Sequence, residues 1–173
     1  MATCTALNAV SKSCDNNIGG IVEIALYDAE DVSTITQTNG VVSVMTLATG
    51  GVGQLFYIKR NTSNFTEEAA IDLVNGSSFV TQTINLMFHR REASKSYAIQ
   101  LLGEGQRDLI AVVKDANGLY WVFDDLQLSA VGEGSGTAKA DGSKYSITLL
   151  GEATDYAYEA AIGVLQTFDS TIF

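Results

Sequence analysis

The clearest pattern in the chain lies at 79–90. Thr81, Thr83 and Asn85 fall on one face of an alternating stretch, and Val80, Ile84, Leu86 and Phe88 fall on the other. A period of two predicts a strand with one polar and one buried face. Residues 21–27 and 41–49 are apolar, β-branched runs that also predict strands. Gly50-Gly51-Val52-Gly53 breaks or bulges the second run, and 54–60 continues it. The intervening stretch 28–40 is polar, with Asp31 a candidate N-cap for a short helical turn.

Runs 41–60 and 79–90 are expected to pair as a hairpin, joined by a long polar loop at 61–78. A loop of about 18 residues exceeds most in compact domains. It holds Phe65, Ile71, Leu73 and Val74 with nothing local to bury them, which predicts a partner surface.

Further on, 92–102 is the best helix candidate. Ala93, Tyr97 and Leu101 share one helical row, Ala98 and Leu102 another, and Gly103 suits the position after the helix. Strands follow at 108–114, 119–124, 127–131 and 145–150. Asp115-Ala116-Asn117-Gly118 and Asp141-Gly142 are turns, and Gly132 to Gly136 is a flexible loop. The N-terminal 1–19 is an arm without periodicity, and 155–173 ends in a partly apolar tail. The tally is a single mainly β domain, a β-sandwich or barrel of about seven or eight strands with one flanking helix.

Composition sharpens this picture. Of 173 residues, 46% are apolar, so the chain can build a core, while only 17% are charged. Low charge density on a folded domain points to surface that meets protein. The net charge of −10 is uneven: residues 115–173 carry nine acidic and two basic side chains. Such acidity argues against a nucleic-acid binder, though not against a surface that DNA slides past. There is no proline, which fits strand edges meant to pair.

Candidate chemistry is sparse. His89 has no legible carboxylate or nucleophile partner. Cys4, Cys14 and His89 lack zinc spacing, and two cysteines are no disulfide framework. The Asp115 turn resembles the opening of a calcium loop but lacks the later ligands. Neither glycine-rich stretch is followed by Lys-Ser/Thr. Asp124-Asp125 is a solvated strand end, and Trp121 is expected in the core. No catalytic residue, metal or cofactor is expected. Arg90, Arg91 and Lys95, with Lys59 and Arg60, form the one basic cluster. It is either a solvated rim or a subunit contact against the acidic C-terminal third of a neighbour. The N-terminus lacks a basic-then-apolar leader pattern, and no apolar run is long enough to span a membrane, so synthesis in the cytoplasm is expected.

Two stretches carry a resemblance. The first is the Cys4–Cys14 arm leading into Asn17-Ile18-Gly19-Gly20-Ile21. The second runs from Asp115-Ala116-Asn117-Gly118 through Asp141-Gly142 to Tyr145-Ser146-Ile147-Thr148-Leu149 and Gly151-Glu152. In these, and in the order of elements, the chain resembles tail-tube (major tail) proteins of tailed bacteriophages, particularly phages of Bacteroidetes hosts. It departs at Asp124-Asp125, where the resemblance leads us to expect a glycine. The resemblance implies a structural virion protein of the tail, assembled in the host cytoplasm. Its partners would be copies of itself, in stacked hexameric rings, and other tail or connector proteins, with DNA only as passing cargo. Thr81, Thr83 and Asn85 would face the lumen. Loop 61–78, with Phe65, Ile71, Leu73 and Val74, would contact the next ring. Residues 1–19 and the arm 160–173, ending in Phe173, would reach neighbours; the contact of Arg90 and Arg91 with a neighbouring subunit rests on the charge cluster alone. The alternatives are a head–tail connector or capsid decoration protein, or a carbohydrate- or receptor-binding β-module.

Overall fold

The computed structural model describes residues 9–173 and is mainly β, with ten strands and two helices in that span. In chain order the first strands are β1 (Ile21–Asp28), β2 (Val32–Thr38), β3 (Val41–Leu47), β4 (Gln54–Tyr57), β5 (Asn64–Asp72) and β6 (Ser77–His89). Helix α1 (Ala93–Gly103) follows, then β7 (Leu109–Asp115), β8 (Tyr120–Gly134), β9 (Lys144–Ala153), β10 (Tyr158–Ala160) and α2 (Ile162–Phe168).

All ten strands belong to one hydrogen-bonded sheet, and seven of them curl into a half-barrel. The long β8 is its branch point. One side of β8 pairs with β7, which leads to β1 and β4. The other side pairs with β10 near its start and with β9 further along. β10 leads to β3 and β2, and β9 leads to β6 and β5.

Side chains from strands that are not neighbours show which face is concave. Phe65 on β5 stacks edge-on against Phe123 on β8, with ring centres 5.3 Å apart. Phe56 on β4 meets Phe88 on β6 at 5.7 Å. The concavity holds the first core, including Ile24, Ile84, Leu126, Ile147 and Leu149, with Ile99 of α1 as its lid. A second core lies on the opposite face of β1 and β7. It is built from Ala25, Tyr27, Ile110 and Val112, and closed by Val42, Met45, Leu165 and Phe168. Strands β1 and β7 are therefore buried on both faces, which is why their sequences are nearly continuous apolar runs.

Several expectations are corrected. Stretch 61–78 is not a loop: β5 occupies half of it, Asn64–Asp72, and pairs residue for residue with β6. Runs 41–60 and 79–90 do not pair; β3 joins β2 and β10, and β4 joins β1. Stretch 28–40 contains β2, which turns at Asn39-Gly40 into β3. Helix α1 turns Ile99 inward, leaving Tyr97 and Leu101 exposed. The tail is not an extended arm. It forms β10 and α2, and Phe173 packs edge-on against Tyr120 of its own subunit.

Candidate interaction surface

Strand β6 makes ladder bonds with β9 only from Val80 to His89. Beyond Val80 the β5–β6 hairpin continues alone to the 73–76 turn, so its distal end overhangs the sheet. That turn is rigidly built. The Asp72 carboxylate accepts from the Val74 and Asn75 amides at 2.8 and 3.1 Å and from the Asn75 side chain. The Gly76 amide, on a left-handed φ of 69°, donates to the Asp72 carbonyl at 2.8 Å. These bonds, those from Asn75 foremost, hold the Asp72 carboxyl below the usual carboxylate range. The ordered turn displays Leu73 and Val74, which are 91% and 93% exposed, and Ile71 is 67% exposed beside them. Two large aliphatic side chains are thus held almost wholly in water, at a free-energy cost that burial against another surface would recover.

The base of the hairpin is anchored by polar groups. Gln82 is buried on the inward face of β6, and its Nε2 donates to Glu67 Oε1 at 3.1 Å. The same Glu67 oxygen accepts from the Ala157 amide at 2.6 Å, tying the hairpin to the segment before β10. Neither residue was a sequence-level candidate, because a Glu–Gln pair on an apolar face breaks the alternation.

The outward face of β5, β6 and β9 is a polar field. Its cross-strand rows are Glu68–Thr81–Glu152, Thr66–Thr83–Leu150 and Asn64–Asn85–Thr148. Thr148 Oγ1 donates to Asn85 Oδ1 at 3.1 Å. Thr81, Thr83 and Asn85 thus share one face, as the alternation predicts. The two helices pack elsewhere, on the first and second cores.

The remaining predicted residues separate into two groups. Phe65 is a core residue. Arg91 pairs with Glu133 of its own chain at 3.0 Å and lies over the Tyr145 ring. Arg90 and Lys95 both reach Glu92, at 3.3 and 3.5 Å. The cations therefore meet acidic partners within the subunit, and much of the cluster is a paired rim. Tyr145 itself braces the start of α1: its hydroxyl lies 2.6 Å from Ser96 Oγ and bonds both the amide and carbonyl of Glu92.

The Asp115 carboxylate organises its turn, accepting from the Asn117 and Leu119 amides at 2.8 and 2.9 Å and from the Trp121 indole at 3.2 Å. Asn117 Oδ1 in turn accepts from the Ile18 amide at 2.7 Å, which tethers the N-terminal arm. Cys14 is exposed, and Cys4 lies outside the described residues. Among the described residues, no group of three or more His, Cys, Asp and Glu is placed to hold a metal, and no helix is long and apolar enough to cross a membrane. No protein-family model matches the chain, and no curated protein matches it.

Proposed function

We propose that this protein is a self-assembling structural subunit of the tail-tube type, forming stacked rings around a channel through which DNA passes. The observation that carries the reading is the overhanging β5–β6 hairpin with its ordered apolar tip, Ile71, Leu73 and Val74. A subunit that propagates needs a projecting element that its own body does not cover, because head-to-tail contacts join unlike surfaces.

Two further features support it. Strand β5 has one unpaired edge nine residues long, with no register break against β6 and no proline. Such an edge is a template for a strand from another copy. The outward face of β5, β6 and β9 is rich in Thr and Asn, with Glu68 and Glu152 at one end. A surface of this kind repels phosphate rather than binding it, which suits a channel wall. Thr81, Thr83 and Asn85 are the proposed lumen residues.

The test replaces Leu73 and Val74 together by Asp. Both are almost fully exposed, so the fold should keep its stability to within about 0.5 kcal/mol. Wild-type protein should form stacked rings in negative-stain micrographs, and the double variant should not. Tubes from the variant would remove the hairpin tip from the contact.

A further inference from the structure

The chain contains three Asn-Gly steps, Asn39-Gly40, Asn75-Gly76 and Asn117-Gly118, and one Asp-Gly step, Asp141-Gly142. All four sit in exposed turns and place the glycine at positive φ. Such steps share a chemistry. The glycine amide nitrogen attacks the side-chain carbonyl carbon, closing a five-membered succinimide, because no side chain on glycine blocks the approach. From Asn, the new N–C bond replaces the Cγ–Nδ2 bond, and ammonia leaves with the amide proton. Water then opens the ring at either carbonyl, giving Asp or isoaspartate.

The four turns differ in how firmly they hold the reacting groups. At 75–76 the attacking amide donates to the Asp72 carbonyl at 2.8 Å, and the Asn75 side-chain amide is bound to the Asp72 carboxylate. At 117–118 the Gly118 amide donates to the Asp115 carbonyl at 3.1 Å, and Asn117 Oδ1 is held by the Ile18 amide. At 141–142 the Asp141 carboxylate accepts from the Thr137 and Ala138 amides at 2.9 and 2.7 Å. Those bonds, Ala138's first, keep it ionised and so a poor electrophile. At 39–40 the turn is tied through the Gly40 carbonyl, which accepts from the Glu159 amide at 2.9 Å, but the reacting groups themselves are held loosely. The Gly40 amide has one contact, to the Gln37 side-chain oxygen at 3.4 Å, the long limit of a hydrogen bond. No hydrogen bond from a described residue holds the Asn39 side chain, and Asn39 itself sits at φ 55°.

We infer that Asn39 is a spontaneous modification site, the Asn-Gly step that converts to aspartate and isoaspartate in the folded protein while Asn75 and Asn117 are held back by their turns. The consequence is local and structural. Asn39-Gly40 is the two-residue link between β2 and β3, flanked by the Thr38–Val41 pair. An isoaspartate reroutes the main chain through an extra methylene at that link and adds a negative charge to it.

The folded protein is incubated in mildly alkaline buffer, and the three steps are followed by peptide mapping with fragmentation that separates aspartate from isoaspartate. One hydrogen bond on the attacking amide slows reaction roughly fivefold, so conversion at Asn39 should outpace each of the others by about fivefold or more. The same chain in denaturant is the reference, where the three Asn-Gly steps should convert at comparable rates. Equal rates at Asn75 or Asn117 in the folded protein would overturn the inference. So would an Asn39 that converts in denaturant but stays intact when folded.

Discussion

Gly151 sits on β9 opposite Leu126, with the β8 backbone close against it. A Cβ built there would stand 2.0 Å from the Asp125 carbonyl oxygen, against rigid backbone. Across from it, Asp124 and Asp125 interrupt the β7–β8 ladder between the Leu109–Leu126 and Ala111–Phe123 pairs. The two aspartates oppose Ile110 alone, which is a β-bulge. Gly151→Ala should cost roughly 1–3 kcal/mol in a denaturation experiment. Gly163, inside α2 with open space around it, is the control: Gly163→Ala should stabilise by up to about 1 kcal/mol. Equal effects at the two sites would contradict this reading of the close approach.

Tyr27 links the second core to the C-terminal segment, donating to Asp169 Oδ2 at 3.2 Å. Burial, and then the Asp169 carboxylate, push its phenol far above the ordinary tyrosine range. The unfolded chain releases this proton near pH 10 while the folded chain keeps it. Stability from this group is therefore intact below about pH 10 and falls as pH rises past it. Tyr27→Phe, with no proton to lose, should flatten that alkaline decline, at a cost of about 1 kcal/mol at neutral pH. An unchanged alkaline slope would show that Tyr27 does not drive it.

At the scale of elements, the β5–β6 hairpin shows what could and could not be read from the chain. The alternation of β6 was legible, as were α1, the Asp115 turn and strands β7 and β9, because their patterns are local. β5 was not. Its inward positions are Phe65, Glu67 and Ala69, a sequence with no apolar period, and Glu67 belongs there only because Gln82 and the Ala157 amide complete it. Those partners lie 15 and 90 residues away in sequence. Two other misses had signals. Asn39-Gly40 marks the β2–β3 hairpin as clearly as Asn117-Gly118 marks its own turn. Ile162, Leu165 and Phe168 recur at helical spacing in α2. Of the proposed surface, Ile71, Leu73 and Val74 were legible as apolar residues lacking local cover, while Phe65 and Phe173 could be assigned to the interior only once the curl of the sheet was known.

The same hairpin gives an element-level prediction. Glu67→Ala would leave the Ala157 amide without its acceptor, at a cost of about 1–3 kcal/mol, and the Gln82 amide with only its longer bond to the Asp155 carbonyl at 3.4 Å. Glu67→Gln keeps an acceptor oxygen and should lose markedly less. Hydrogen exchange of the Ala157 amide reads the difference directly. If both variants protect that amide as the wild type does, Glu67 is not the clamp.

For the whole molecule, two closed cores coexist with surfaces that no described residue covers. The edge of β5, the ends of the main strand path at β2 and β4, the polar field of Thr81, Thr83 and Asn85, and the apolar hairpin tip all face outward. A chain without proline and with a net charge of −10 keeps its strand edges competent to pair and its surface repellent to nucleic acid. Assembly into the proposed tube would make use of each of these features. The most direct measurement is negative-stain microscopy of wild type and the Leu73→Asp, Val74→Asp variant side by side, over a range of protein concentrations. The tube account predicts rings stacking into tubes for the wild type as concentration rises, and none for a folded variant. A wild type that stays monomeric at every concentration would contradict it.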